Sequence, residues 1–193
     1  MFIAISGELI KELEKFTSKL KTREILQAIS IRPTDNKLEF AATDGAKLYV
    51  FTREKSEEES LPEQLVIKIP KVKGKYMYYL EKVNNIYILS NPRTEEKVVC
   101  EEIKEATYPN YNNIIPLELD KVQHAKAYTA FKSENLAALE FVMPDAIAYL
   151  PKTEGPNKPC FWRKEYPIGT KLVCLMPYYL SEVEEKLWVQ DAT

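Results

Sequence analysis

The chain is 193 residues long, 45% hydrophobic and 29% charged, with a formal net charge of −2. This is globular composition, neither disordered nor membrane-embedded, and its charge selects no class of partner by itself. The length suits one large domain, or one domain and part of another.

In chain order, "FIAIS" reads as a short apolar strand. "GELIKELEKFTSKLKT" reads as a helix with Leu9, Leu13, Phe16 and Leu20 on one face. Lys11, Lys15 and Lys19 fall at i, i+4 and i+8 on the opposite face. This opening turns charged too early for a signal peptide, and no apolar run approaches the ~20 residues of a spanning helix. No membrane partner is expected. The strands "EILQAISIR", "KLEFAAT" and "KLYVFTR" follow, with "PTDN" and "TDG" as turns. Glu57-Glu58-Glu59, beside Ser60 and Pro62, reads as a solvated acidic loop.

The pattern then restarts. "QLVIKIP" is a strand, and "KVKGKYMYYLEKV" places Val72, Tyr76, Tyr79, Leu80 and Val83 at helical spacing, weakened by Gly74. "NIYILS" and "EKVVCEEIKEA" are strands. A third cycle starts at "PLEL" and runs into a helix, "DKVQHAKAYTAFK", with Asp120 as its N-cap. The strands "LAALEFV", "AIAYL", "PCFWRKEY" and "KLVCLMPYY" complete it. Three strand–helix–strands units at intervals of roughly 50–60 residues suggest internal duplication. An α+β chain that merely alternates its elements fits the same order.

The catalytic inventory is thin. His124 is the only histidine and reads as a helix-face residue, so a histidine-rich metal site is excluded. The glycines form neither GxGxxG nor GxxxxGK[ST], so no phosphate-cradling loop is present and no cofactor is expected. Cys100, Cys160 and Cys174 are odd in number and lack Cys-x-x-Cys spacing, which points to a reducing, cytoplasmic setting. The three expected helices are lysine-rich against an acidic remainder. Two readings fit that bias: a surface attracting phosphates, or an ordinary solvated lysine face.

Three segments carry a family resemblance. "REILQAISIRPTDNKLEFAATDGAKLYVF" (Arg23–Phe51) resembles the second domain of the bacterial DNA polymerase III beta subunit, the DNA sliding clamp. "YPNYNNIIP" (Tyr108–Pro116) resembles the aromatic-Pro-Asp-Tyr motif that closes the same domain. "KLVCLMPYYL" (Lys171–Leu180) is similar to the Met-Pro ending of such clamps. The departures are Asn110 for the family's aspartate, Asn112 and Asn113 for its basic residues, and Tyr178-Tyr179 after Met176-Pro177.

The resemblance implies an α+β, DNA-clamp-like fold of repeated βαβββ units, with antiparallel sheets and helices on one face. A shortened form is expected, with residues 1–116 a complete two-repeat domain, 117–180 a third repeat and 181–193 a C-terminal tail. In that tail Leu187-Trp188-Val189 fits either docking on a neighbour or a packed helix end. The implied function is non-enzymatic. On this resemblance, an oligomeric ring of this chain would encircle duplex DNA without sequence preference and tether polymerase and other replication proteins through short hydrophobic peptides. The implied peptide-binding residues are Leu26, Thr43, Gly45, Lys47, Leu48, Pro109, Asn113, Ile114, Cys174, Leu175, Met176, Pro177 and Tyr178. If a ring forms, the expected DNA-facing cations are Lys11, Lys15, Lys19, Lys71, Lys73, Lys75, Lys121 and Lys126. A clamp-like adaptor or decoy that forms no ring is the second reading. An unrelated α+β enzyme using its carboxylates is the third.

Overall fold

The computed structural model describes residues 2–104, 107–115, 131–144 and 159–177. Ten strands are described: β1 (Phe2–Ser6), β2 (Ile29–Thr34), β3 (Lys37–Thr43), β4 (Lys47–Glu54), β5 (Leu65–Lys68), β6 (Met77–Val83), β7 (Ile86–Asn91), β8 (Glu96–Glu102), β9 (Cys160–Tyr166) and β10 (Gly169–Leu175). Two α-helices accompany them, α1 (Gly7–Glu14) and α2 (Ser133–Val142). The chain divides into two compact units, residues 1–110 with 163–173, and residues 111–162 with 174–193.

The strands run in the order β1-β6-β7-β8-β5-β2-β3-β4-β10-β9. The expected antiparallel α+β architecture is therefore present. β1 lies against β6 in register Ile3↔Leu80 and Ile5↔Tyr78, while β5 lies against β2 and β8. The first and second strand groups thus exchange strands. Tight turns set the register. Asn84 and Asn85 both take positive φ (49° and 64°) between Val83 and its partner Ile86, the backbone twist that a two-residue hairpin needs.

The core of the first unit alternates along the strands. Ile3, Ile5, Ile31, Leu38, Phe40, Tyr49, Leu80 and Leu89 are buried, with Leu13 and Phe16 from the α1 region. Each of these large side chains contributes roughly 1.5–3 kcal/mol of transfer free energy on burial. Ser6 caps α1, its Oγ accepting from the Leu9 N–H at 3.1 Å. Gly7 follows because a Cβ there would sit 2.7 Å from the Gly74 carbonyl oxygen.

Several sequence expectations need correction. The first helix stops at Glu14, where the Thr17 hydroxyl takes the Glu14 carbonyl at 2.9 Å. Lys15 is its C-cap, Lys19 lies beyond the helix, and Leu20 is exposed rather than core. The three-lysine helical stripe does not form. No helix occupies residues 71–83 either. Gly74, at φ 81°, breaks the path, and Tyr78 and Leu80 are buried on alternate positions of β6. Aromatic strand propensity and pairing on both sides of β6 outweigh the helical spacing. Residues 24–27 form a 3-10 turn instead of the start of a strand. "LAALEFV", read as a strand, belongs to α2, whose buried Asn135, Ala138, Leu139 and Val142 follow the i, i+3, i+4, i+7 rule. The expected "DKVQHAKAYTAFK" helix, apart from Phe131 and Lys132, lies outside the described residues, as do "PLEL", "AIAYL" and the tail.

The acidic run is not wholly solvated. Glu59 is 4% exposed. Its Oε1 accepts the Ala4 N–H at 2.8 Å, and its Oε2 accepts Arg53 Nη1 at 2.7 Å and the Ser56 N–H at 2.9 Å. Arg53 Nη2 also donates to the Ala4 carbonyl at 2.7 Å. Burial pushes the Glu59 pKa up, but the Arg53, Ser56 and Ala4 bonds outweigh it and bring the pKa down to about 2. A depressed carboxylate stabilises the fold above its unfolded pKa, and that contribution is lost as pH falls towards the folded value. The shift corresponds to roughly 3 kcal/mol at neutral pH. Glu59→Gln is expected to lower stability strongly at pH 7, with the gap to wild type narrowing between pH 4.5 and 2. Thermal unfolding followed by circular dichroism across that range checks it.

Candidate functional site

The Thr-Asp-Gly segment folds into a self-bonded turn between β3 and β4. The Thr43 hydroxyl donates to the Lys47 carbonyl at 2.8 Å and accepts from the Gly45 N–H at 3.1 Å. Asp44 Oδ1 accepts the N–H groups of Ala46 (2.9 Å) and Lys47 (3.0 Å). Asp44 Oδ2 lies 3.3 Å from Lys47 Nζ. Gly45 holds φ at 93°, a left-handed conformation that favours glycine. A Cβ on Gly45 would lie 3.3 Å from Arg23 Nη1 and 3.9 Å from Leu26 Cδ1, so Leu26 borders the turn. Arg23 Nη1 donates to the Asp44 carbonyl at 3.3 Å. This contact was not foreseen from the sequence, although Arg23 opens the resembling segment.

Of the expected peptide-binding residues in the first unit, Gly45 and Pro109 are exposed and Leu26 and Lys47 half-buried. Thr43 and Leu48 are buried. Lys47 Nζ sits 6.0 Å above the Phe16 ring, which holds the cation against the turn. Pro109 is positioned by Tyr108, whose buried hydroxyl lies 3.3 Å from the Ala41 carbonyl and 3.5 Å from that of Ala28. Burial keeps this phenol protonated by raising its pKa, and it therefore acts as a donor to the sheet. Tyr108 is a positioning residue that sequence reading passed over, since the motif drew attention to the proline and asparagines.

In the second unit, Tyr111–Asn113 form a 3-10 turn closed by the Ile114 N–H on the Tyr111 carbonyl at 3.1 Å. Asn113 and Ile114 are exposed, Ile114 by 46%. Cys174 and Leu175 are buried, and Met176 is exposed by 36% beside half-buried Pro177. Tyr178 lies outside the described residues. Burial pushes the Cys174 thiol up to about 12, with Cys160 adding to the rise, and Cys160 itself goes up to about 11. Both are packing residues rather than nucleophiles.

The expected DNA-facing cations divide differently. Lys11 is half-buried on α1, and Lys15 and Lys19 are exposed at and beyond its end. Lys71, Lys73 and Lys75 are exposed on the irregular segment before β6. Lys71 lies 3.9 Å from Glu14 and Lys75 3.4 Å from Glu8, so α1 carries acids against two of these lysines. Lys121 and Lys126 lie outside the described residues. Among the described residues no group of three or more His, Cys, Asp or Glu side chains could hold a metal. No described helix is long and apolar enough to cross a membrane.

No protein-family model matches the sequence, and no curated protein matches it. Solved structures do. The DNA polymerase III beta subunit of Thermotoga maritima superposes with a TM-score of 0.58 at 11% identity, over 94% of this chain and 66% of its own. A putative DNA polymerase III beta subunit from Eubacterium rectale gives 0.61 at 12%, over 93% and 66%. The sliding clamp of Bartonella birtlesii, solved bound to griselimycin, gives 0.60 at 14%, over 93% and 66%. The chain therefore has the fold of these clamps while spanning just under two thirds of their length.

The turn geometry generates a direct expectation. Asp44→Ala removes the acceptor of two backbone N–H groups and costs about 1–2 kcal/mol, whereas Asp44→Asn retains most of the turn. Urea unfolding of the two variants measures the difference.

Proposed function

We propose that the chain is a clamp-like processivity subunit. It is a non-enzymatic protein that assembles with copies of itself around duplex DNA and tethers replication proteins through short hydrophobic peptides. The observation that carries this reading is the likeness of fold to bacterial sliding clamps over nearly the whole chain. The self-bonded Thr-Asp-Gly turn and the Tyr108-anchored segment supply rigid supports of the kind a docking site needs. Residues 1–116 are proposed as the two-repeat domain and 117–180 as a further clamp-like repeat, with 181–193 as a tail.

For a clamp, DNA contacts must be loose. Lysines that meet phosphates without reading bases hold the duplex electrostatically and allow it to slide. Lys11, Lys15, Lys19, Lys71, Lys73, Lys75, Lys121 and Lys126 are proposed for that role. A defined closed oligomer in solution, measured by light scattering, is the expected result; four chains would supply twelve repeats. A strictly monomeric protein at working concentration removes the ring. The second reading, an adaptor that binds peptides without encircling DNA, is favoured by the short α1 and by the acids it sets against Lys71 and Lys75.

Among the proposed peptide-binding residues, those with open apolar surface should dominate affinity, because only a few buried anchors offset the entropy of ordering a peptide. A labelled peptide carrying a leucine and an aromatic residue is expected to bind near the micromolar range, about −8 kcal/mol. Met176→Ala and Ile114→Ala are each expected to weaken binding by about 5–10-fold, roughly 1–1.4 kcal/mol, and Lys47→Ala by less. Fluorescence anisotropy titrations check this, and saturable binding indifferent to both apolar changes places the site elsewhere. Valine at Gly45 is a poor probe, since its φ of 93° strains any β-branched residue.

A further inference from the structure

The segment that replaces the expected second helix has a construction of its own. Val72 is 8% exposed and anchors it, which leaves Lys71 and Lys73 facing solvent on either side. The Lys73 carbonyl accepts the Tyr78 hydroxyl at 2.5 Å, and the Tyr76 carbonyl accepts the Gly7 N–H at 2.7 Å. The backbone is thus pinned at both ends. Tyr76 is 42% exposed, and the guanidinium of Arg93 lies 4.9 Å over its ring. Arg93 comes from the turn between β7 and β8, which Asn91 stabilises by accepting the Arg93 N–H at 2.9 Å. A cation–π contact at this distance holds the guanidinium near the ring, and the exposed side chain leaves its donors to solvent.

We propose that Lys71, Lys73, Lys75 and Arg93 form a phosphodiester-binding strip, with Arg93 held on Tyr76 as its directional contact and Glu8 and Glu14 as internal competitors. The inference rests on the nucleic-acid part of the function proposed above and adds Arg93, Tyr76 and the two acids to it. Nucleic acid is favoured over an acidic peptide by the make-up of the strip. Val72 is buried, and Tyr76 carries Arg93 over its ring and lies close to Gly74, whose added Cβ would meet the ring at 3.1 Å. Val72 is closed to a peptide side chain and Arg93 already occupies one face of Tyr76, whereas a backbone of repeated phosphates needs only the cations. The Lys71–Glu14 and Lys75–Glu8 pairs are exposed and at 3.9 and 3.4 Å, so they are weak and phosphates displace them readily.

The test uses the full chain and a short linear fluorescent duplex, whose binding does not require a closed ring, titrated across salt. Arg93→Ala is expected to weaken binding about tenfold at low salt and to reduce the slope of log affinity against log salt by about 1. Arg93→Lys should keep the slope while losing part of the affinity. Tyr76→Phe should bind as wild type, Tyr76→Ala should approach Arg93→Ala, and the double variant should be no worse than Arg93→Ala alone. Glu8→Gln with Glu14→Gln should tighten binding about two- to fivefold. An unchanged slope in Arg93→Ala overturns the proposal. So does a polyglutamate peptide that competes as well as unlabelled duplex at equal charge. Retention on circular DNA, measured separately, reports the ring; its failure alongside a normal strip would count against encirclement only.

Discussion

The first unit is held together by an exchange of strands. β1 precedes α1 and β2–β4 in sequence yet pairs with β6, and β5 begins the second group of strands yet pairs with β2. Neither group completes a sheet from its own strands. The consequence is a single cooperative unit, since separating the groups would strip two ladders of backbone bonds and expose Ile3, Ile5, Ile31 and Leu80 together. The strip before β6 inherits its position from that exchange, because it leads into a strand paired with β1, whereas the Thr43–Leu48 turn is held by its own local bonds.

Charge is used inside this frame as well as on it. Glu12, on the sheet-facing side of α1, accepts the Tyr49 hydroxyl at 2.6 Å and Lys171 Nζ at 2.5 Å. Burial, and then the Glu12 carboxylate, raise the Tyr49 pKa, so the phenol stays a donor. The buried acid on the helix is therefore matched on both oxygens, which ties α1 to β4 and β10 where an unpaired charge would cost several kcal/mol. The same helix presents Glu8 and Glu14 outward. Its exposed surface is mixed in sign, and the cationic character moves to residues 71–75 and Arg93.

What was legible in the sequence follows from how local each signal is. Strands β3, β4, β7, β9 and β10 carry short apolar stretches, alternating in β7 and at the start of β3 and continuous in the others, between turn residues, and they are legible because such stretches are local signals. The Thr-Asp-Gly turn was legible because its bonds are all within five residues. The helix over 71–83 was misread because tyrosines at 76, 78 and 79 satisfy helical and strand spacing alike, and only the pairing of β6 with β1 and β7 decides. "LAALEFV" was misread in the other direction, where leucine, alanine and glutamate have strong helix propensity but the apolar run suggested a buried strand. Glu59 was hidden because its partners, Arg53 and Ala4, are set by the fold rather than by the acidic run around it. The burial of Leu48, Cys174 and Leu175 was equally out of reach, since periodicity cannot distinguish a core wall from a site wall.

The Arg53–Glu59 clasp also determines which side of the sheet can be extended. β1 is one end of the strand order, and an end strand ordinarily offers unpaired N–H and C=O groups to any passing chain. Here the Ala4 N–H is taken by Glu59, the Ala4 carbonyl by Arg53, and the Phe2 carbonyl by the Ser60 N–H at 3.0 Å. That margin is already occupied by the chain's own side chains and loop. Growth of the sheet by strand addition at β1 would therefore first have to unlock the Arg53–Glu59 ion pair and release the loop at Ser60.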